Sequence, residues 1–132
     1  MSALESIFGE AISCYTRAEA FNDGVLVDLM QGELGQVSRQ HYKYRIACTL
    51  GVFTLIRKAV EHPDWGNDYC GVLHDILTMS KSTYAQKLDR STVLFDVRIT
   101  GTGSKCTHSL KLVVGPGNDM EPVITIMLPD ED

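Results

Sequence analysis

The last third of the chain alternates between apolar and polar residues, which is typical of β-strands with one buried face. The first alternating segment covers residues 92–100, with Asp96 and Arg98 on its polar side. Two more segments follow, separated by the glycine-containing stretches 101–105 and 115–119. The residues predicted to face the core are, strand by strand, Val93, Phe95, Val97 and Ile99, then Cys106, His108, Leu110, Leu112 and Val114, then Ile124, Ile126 and Leu128. Three such strands predict an antiparallel meander.

Two earlier segments have helical periodicity. Between residues 43 and 61, apolar side chains recur every three or four positions, at Ile46, Leu50, Phe53, Ile56 and Val60. This stripe predicts one amphipathic helix that Pro63 brings to an end. A second helix is predicted over about residues 69–81, with Asp68 as its N-cap. The pattern leaves open whether residues 80–90 continue this helix or form a loop.

The first third of the chain is less regular. Residues 3–14 fit either a short helix or a strand. Thr16 and Glu19 form a Thr-x-x-Glu capping box, which predicts a short helix over residues 17–22 that ends at Gly24. Residues 25–29 predict a short buried strand or extended segment. Residues 31–42 are polar with two glycines and predict a loop.

These elements predict an α+β fold in two layers. A C-terminal antiparallel meander of three to four strands would pack against two main α-helices, with residues 25–29 as the fourth strand. Three strands alone cannot bury a core, so the helices must cover their apolar face. At 132 residues, the chain is predicted to form a single domain over residues 1–132.

Composition and charge narrow the class of protein. The chain is 44% hydrophobic and 22% charged, which is the globular range. Its net charge of −5 argues against nonspecific binding to nucleic acid, and fits either a basic protein partner or simple solubility. No stretch is apolar for long enough to cross a membrane, and the start lacks the features of a signal peptide. A cytoplasmic protein that binds no membrane is therefore expected.

Residues that could do chemistry are present, but they form no recognised motif. The cysteines lie far apart, at Cys14, Cys48, Cys70 and Cys106. They are expected to be reduced and mostly buried. Residues 101–105 have the wrong order for a phosphate-binding loop, and His62, Asp64, His74 and Asp75 lack the spacing of metal ligands. No catalytic residue, metal site or cofactor is predicted, although an enzyme with an unrecognised site stays open as an alternative.

Two small groups of residues are candidates for binding. Trp65, the only tryptophan, lies in a polar turn and predicts either an interface anchor or a lid on the core. Tyr15, Arg17 and Asp23 surround the capped turn near the start. They predict either a structural cap, in which Arg17 pairs with a carboxylate, or a cluster that faces a ligand or partner.

Blocks at both ends of the chain resemble those of a family of small uncharacterised bacterial proteins carried on plasmids and phages. The matching blocks are Ile-Phe-Gly-Glu at residues 7–10, Ser-Cys-Tyr-Thr-Arg-Ala at 13–18, Asp-Gly-Val-Leu-Val-Asp at 23–28, Gly-Pro-Gly-Asn-Asp at 115–119 and Glu-Pro-Val-Ile-Thr-Ile-Met-Leu-Pro followed by acidic residues at 121–132. They cover about a third of the chain. Residues 41–60 depart from the family pattern, which has a Pro-Val-Ala-Leu-Thr stretch and a tryptophan-rich helix there.

The resemblance implies a context and no established activity. Small acidic proteins on mobile elements are often similar to inhibitors of host defence such as anti-CRISPR proteins. We therefore expect a protein that binds and occludes a basic surface of a bacterial defence complex. The residues predicted to bind are Trp65, Asp64, Asp68, Asp119, Glu121, Asp130, Glu131 and Asp132. The alternative is a plasmid accessory or regulatory protein that self-associates, for example through an exposed sheet edge.

Overall fold

A computed structural model describes residues 16–85, 91–103 and 105–131, with the side chains of all of these except 83–85. The elements in chain order are α1 (Arg17–Asn22), β1 (Leu26–Asp28), α2 (Gly32–His41), β2 (Arg45–Thr49), α3 (Leu50–Glu61), α4 (Tyr69–Ala85), β3 (Thr92–Arg98), β4 (Thr107–Pro116) and β5 (Pro122–Met127). The predictions for residues 3–14, Cys14, Tyr15 and Asp132 fall outside this description. None of the helices described is long and apolar enough to cross a membrane.

The strands form one mixed sheet of five in the order β1-β2-β5-β4-β3. The α+β class is confirmed, and strands β3, β4 and β5 are antiparallel neighbours. Strand β2, however, lies between β1 and β5 and runs parallel to β5, with Ile46 beside Ile124. The prediction of a purely antiparallel sheet with three to four strands is therefore wrong.

Strand β2 comes from the first part of the segment that was predicted as one long helix. Residues 46–49 are all buried, on both faces of the sheet, so the strand has no polar alternation to identify it. Ile46 and Leu50 also fit a helical stripe, which made the two states indistinguishable by pattern. In the structure, Thr49 marks the boundary between the strand and the helix, because its side chain accepts a hydrogen bond from the Val52 amide at 3.4 Å and caps α3. Helix α3 ends at Glu61, ahead of Pro63 as predicted.

Helix α2 occupies the region predicted as a loop, so that prediction is also wrong. Its second glycine allows close packing: a Cβ at Gly35 would lie 2.3 Å from the carbonyl oxygen of Met30. The buried hydroxyl of Ser38 donates to the carbonyl oxygen of Leu29 at 2.9 Å. Leu34 and Val37 pack against the core. These tertiary contacts stabilise a helix whose own residues are weak helix formers.

The sheet separates two unequal layers of helix. On one side, which we call the helix face, α2, α3 and α4 cover the apolar core. The sheet residues of this core are Ile46, Cys48, Phe95, Val97, Leu110, Leu112, Ile124 and Ile126. On the second face lies α1, whose Arg17 Nη1 donates to Thr125 Oγ1 at 2.7 Å. The described residues form four helices, three on the helix face and one on the second face. The prediction of two helices in a two-layer fold is therefore incomplete.

The short helix α1 is the best-predicted local element. Its capping box is formed as expected, with the Glu19 amide donating to Thr16 Oγ1 at 3.1 Å and the Thr16 amide donating to Glu19 Oε1 at 2.8 Å. The helix covers Arg17–Asn22 and stops before Gly24. Asp68 likewise accepts from the Gly71 amide at 3.3 Å, as predicted for the N-cap of α4.

The strand directions define two ends of the sheet. The β4–β5 end carries the hairpin at residues 117–121, the start of β2 and the end of β1. The β3–β4 end carries the hairpin at residues 99–106, the end of β2 and the segment after β5. Helix α3 begins after Thr49, at the end of β2, and ends close to the 99–106 hairpin. Both places are at the β3–β4 end of the sheet, and the helix, about 18 Å long, keeps them apart.

Candidate partner-binding surface

The loop between α3 and α4, residues 62–68, is held in place by one side-chain amide. Asn67 Nδ2 lies 3.2 Å from the carbonyl oxygen of Ala59, 3.1 Å from that of Thr100 and 3.2 Å from Thr100 Oγ1. These acceptors belong to the end of α3 and the start of the β3–β4 hairpin. The amide therefore fastens the loop to two elements.

Trp65 projects from this fastened loop with 54% of its surface exposed. One edge of the indole rests on Gly101, where an added Cβ would lie 3.2 Å from Trp65 Cδ1. The φ angle of Gly101 is +85°, a conformation that side chains disfavour, so both the space and the backbone require glycine. From the sequence, Trp65 is predicted to be either an interface anchor or a lid on the core. The structure places it against the hairpin with its outer part in solvent.

A groove of about 410 Å³ lies beside the indole, lined by Lys58, Glu61, His62, Trp65, Gly101 and Gly103. Its lining carries one carboxylate, Glu61, and one ammonium group, Lys58, while Asp64 and Asp68 are exposed in the adjoining loop. We call Lys58, Glu61, His62, Asp64, Trp65 and Asp68 the Trp65 surface. It contains one exposed aromatic side chain, three carboxylates and one lysine.

The other predicted acidic residues lie elsewhere. Asp119 and Glu121 are in the hairpin at the β4–β5 end, opposite the Trp65 surface. Asp130 and Glu131 are at the β3–β4 end but beside the start of α3. Glu131 Oε1 accepts from Thr49 Oγ1 at 2.7 Å and from the Leu128 amide at 2.8 Å, so its carboxylate secures the C-terminal segment. Asp64 and Asp68 are thus in the same loop as Trp65, as their sequence positions require, whereas Asp119, Glu121, Asp130 and Glu131 lie apart from it.

Arg17 belongs to a charged pocket at the β4–β5 end, together with Asp28, Arg45 and Glu121. Besides Thr125, its guanidinium donates to the carbonyl oxygen of Ile124 at 3.1 Å. Burial lowers the pKa of Arg17, while Glu121 and Asp28 oppose this shift. Arg17 therefore shares a pocket with two carboxylates, but its hydrogen bonds go to Thr125 and Ile124, and in the described residues it is Arg45 that pairs with Asp28, at 3.8 Å.

The pocket is small, about 120 Å³, and its acids are already used by the fold. Asp28 accepts from the Met30 amide at 2.9 Å, and Glu121 accepts from the Asp119 amide at 3.0 Å. Asp23 ends α1 and is not among the residues that line the pocket. We call this pocket a structural lock, because the hydrogen bonds of Arg17 join the blocks near the start of the chain to the block near its end. The mixed sheet brings these blocks together.

The histidines are distributed over three places. His41 Nε2 lies 2.9 Å from His74 Nδ1 between α2 and α4, and burial, Lys81 and His74 lower the pKa of His41. His108 Nε2 lies 2.8 Å from Thr102 Oγ1 in the β3–β4 hairpin. Over residues 16–85, 91–103 and 105–131, no three potential ligands come together to hold a metal ion.

Two of the cysteines, Cys48 and Cys70, have a raised pKa. Burial, with a smaller effect of Glu131, raises the pKa of Cys48 to about 12. Desolvation and the neighbouring Glu33 also raise the pKa of Cys70. Because the thiolate is the nucleophile, neither residue is activated for covalent chemistry.

Sequence reasoning missed Asn67 and Gly101, the two residues that position Trp65. Asn67 follows a glycine in a polar turn, and its acceptors lie 8 and 33 positions away. No spacing rule connects such positions. The only available signal was that residues 101–105 and 63–68 are both turns, without any indication that they meet.

The comparisons with known proteins identify a family and no activity. No curated protein and no solved structure matches the chain. One family model matches residues 5–132, which is nearly the whole chain and includes both terminal blocks. The chain belongs to a family of unknown function, DUF6573.

Proposed function

We propose that this chain is a binding protein that acts by covering a surface of a protein partner. One observation carries this proposal: Trp65 exposes 54% of its surface although the loop around it is fastened by Asn67. An exposed tryptophan contributes little to folding, whereas a rigid aromatic side chain is the strongest kind of interface anchor. Binding thus explains a feature that stability alone does not.

For the partner, we propose a basic surface of a bacterial defence complex such as a CRISPR effector. Two arguments support this choice. The rim of the Trp65 surface is rich in carboxylates, and complementary charge speeds encounter with a basic channel. Effector channels of this kind hold nucleic acid, so a protein bound there would exclude it. A plasmid or phage origin is part of the same proposal, and rests on the resemblance of the terminal blocks.

The first test is co-purification of the tagged chain from a bacterium with active defence systems. The wild-type chain is expected to recover a defence-complex subunit in stoichiometric amount. Trp65→Ala should weaken this binding by roughly 30-fold or more, because hot-spot residues contribute at least about 2 kcal/mol. Tyr44→Ala is the matched control, since Tyr44 is also an exposed aromatic residue, with 40% exposure, but lies outside the Trp65 surface. Recovery of the chain alone, or equal loss in both variants, would contradict the proposal.

A second test separates the acidic groups that the structure keeps apart. Glu61→Lys with Asp64→Lys should slow association several-fold and reduce its dependence on salt, because rim charges act mainly on encounter. Asp119→Lys with Asp130→Lys changes the net charge equally at other positions and should have a much smaller effect. If the remote pair has the larger effect, the partner uses a different surface.

A further inference from the structure

The outer edge of β3 is a strand edge without a partner. β3 is last in the sheet order, and in the parts of the chain described no strand pairs with its outer side. The Ile99 amide donates to the carbonyl oxygen of Cys106 at 2.8 Å, and the Val114 amide donates to that of Ser91 at 2.7 Å. Hydrogen-bonding direction alternates along a strand, so the even-numbered residues of β3 direct their N–H and C=O groups outward.

The fold covers only one end of this edge. The carbonyl oxygen of Thr100 accepts from Asn67, as described above, whereas Leu94, Asp96 and Arg98 have exposed side chains and outward backbone groups. Leu94 exposes 56% of its surface. Cavities of about 350 and 440 Å³ lie along the strand between β3 and α4. An open edge with room beside it is a template for another strand.

The charges on this edge are self-complementary. Asp96 and Arg98 lie on the same face, two residues apart, and neither forms an ion pair with any residue in the described ranges. In a symmetric antiparallel pair centred on Val97, Asp96 of each copy lies directly opposite Arg98 of the other. This arrangement creates two pairs of opposite charge.

The neighbouring registers lack this match. A pair centred on Asp96 would place the two Asp96 carboxylates opposite each other, and like charges directly across a ladder are destabilising. A pair centred on Phe95 would place Leu94 opposite Asp96. Both alternatives use the same outward backbone groups, so the side-chain charges select the register.

We propose that the chain forms a two-fold homodimer in which the β3 edges pair antiparallel about Val97. The two five-stranded sheets then form one continuous sheet across the dimer axis. Asp96 pairs with the partner's Arg98 on the second face, and Phe95 lies opposite the partner's Ile99 on the helix face. The dimer is independent of the Trp65 surface, so either proposal can fail without the other.

The test is the molar mass of the full chain measured by light scattering at increasing concentration. The wild type is expected to approach twice 14.6 kDa. Arg98→Asp and Asp96→Arg should each weaken the dimer by about tenfold or more, because both cross-strand pairs become like-charged. Lys43→Asp, an exposed position outside β3, makes the same change in net charge as Arg98→Asp and should remain dimeric. Circular dichroism checks that each variant is folded.

Mixing the two single variants provides the decisive result. A copy with Asp at positions 96 and 98 faces a copy with Arg at both, so each cross-strand pair is again attractive. The equimolar mixture should therefore recover the dimer that neither variant forms alone. A wild type that stays monomeric at every concentration, single variants that dimerise as tightly as the wild type, or a mixture that dimerises no better than its separate components would each overturn the proposal.

Discussion

Two regions at opposite ends of the sheet, the Arg17 pocket and the loop at residues 62–68, each join distant parts of the chain, but they do so in different ways. At the β4–β5 end, Arg17 and Asp28 direct their hydrogen bonds into the fold. At the β3–β4 end, Asn67 fixes the backbone, while its neighbour Trp65 remains exposed. Side chains that hydrogen-bond inward indicate a structural lock. A fixed backbone that presents an exposed aromatic indicates a binding surface.

Replacing Arg17 should have the largest effect on stability. Arg17→Ala removes two charge-assisted hydrogen bonds to β5, one to Thr125 Oγ1 and one to the carbonyl oxygen of Ile124. We expect the free energy of unfolding to fall by about 2–3 kcal/mol, measured by urea denaturation. Arg45→Ala is the matched control: its side chain is 62% exposed and 3.8 Å from Asp28, so it should change stability by less than about 0.5 kcal/mol. Similar losses for both arginines would show that the pocket is not a lock.

Replacing Asn67 should have an intermediate effect on stability and a clear effect on binding. Asn67→Ala removes the amide that joins α3 to the β3–β4 hairpin, at an expected cost of about 1–2 kcal/mol. Because Trp65 would lose its fixed loop, partner binding should weaken although the aromatic side chain is intact. Asn118→Ala, at the exposed hairpin of the other end, should leave both properties nearly unchanged. Tight binding by a destabilised Asn67→Ala would mean that the fixed loop is unimportant.

Lowering the pH should have the smallest effect on stability, and part of this effect should arise at the β3–β4 end. Burial, together with Lys105 and Lys58, lowers the pKa of His108, while its hydrogen bond to Lys105 opposes the shift. The folded state therefore favours neutral histidine. This stabilisation is complete above the unfolded pKa of about 6.5 and is lost as the pH falls below it, because the unfolded chain binds the proton first.

Urea denaturation at pH 7.5 and pH 5.5 measures this loss, which we expect to be small for each histidine, because both side chains are only partly buried. The pKa of His41 is lowered in the same direction, by burial first and then by Lys81 and His74. His108→Gln and His41→Gln should each remove one part of the dependence. If His108→Gln leaves the dependence unchanged, the acid sensitivity lies between α2 and α4 and not in the hairpin.

Local signals predicted the parts of the fold that depend on residues close in sequence. The capping box of Thr16 and Glu19 gave the bounds of α1, and alternation in the last third gave the core side chains of β3. Prediction failed where one sequence pattern fits two structures. Residues 46–49 are apolar without alternation, and a buried strand and a helix then look alike.

The candidate sites show the same limit. Trp65, Asp64 and Asp68 were identified because an aromatic in a polar turn is unusual. The exposed edge bearing Asp96 and Arg98 was visible only as the polar side of a strand. Its position at the end of the sheet depends on β2 inserting beside β5, a contact that no local pattern contains.

The sequence by itself therefore determined the caps, the strand alternation, the ends of the helices at Pro63 and Gly24, and the acidic character of the chain. The tertiary structure alone decided that residues 32–41 are helical, that β2 is a strand, and that Trp65 stays exposed on a loop held by Asn67. The physical reason is that caps and alternation depend on neighbours a few positions apart. Burial on two faces, close approach at a glycine and long-range hydrogen bonds depend on which elements meet in space.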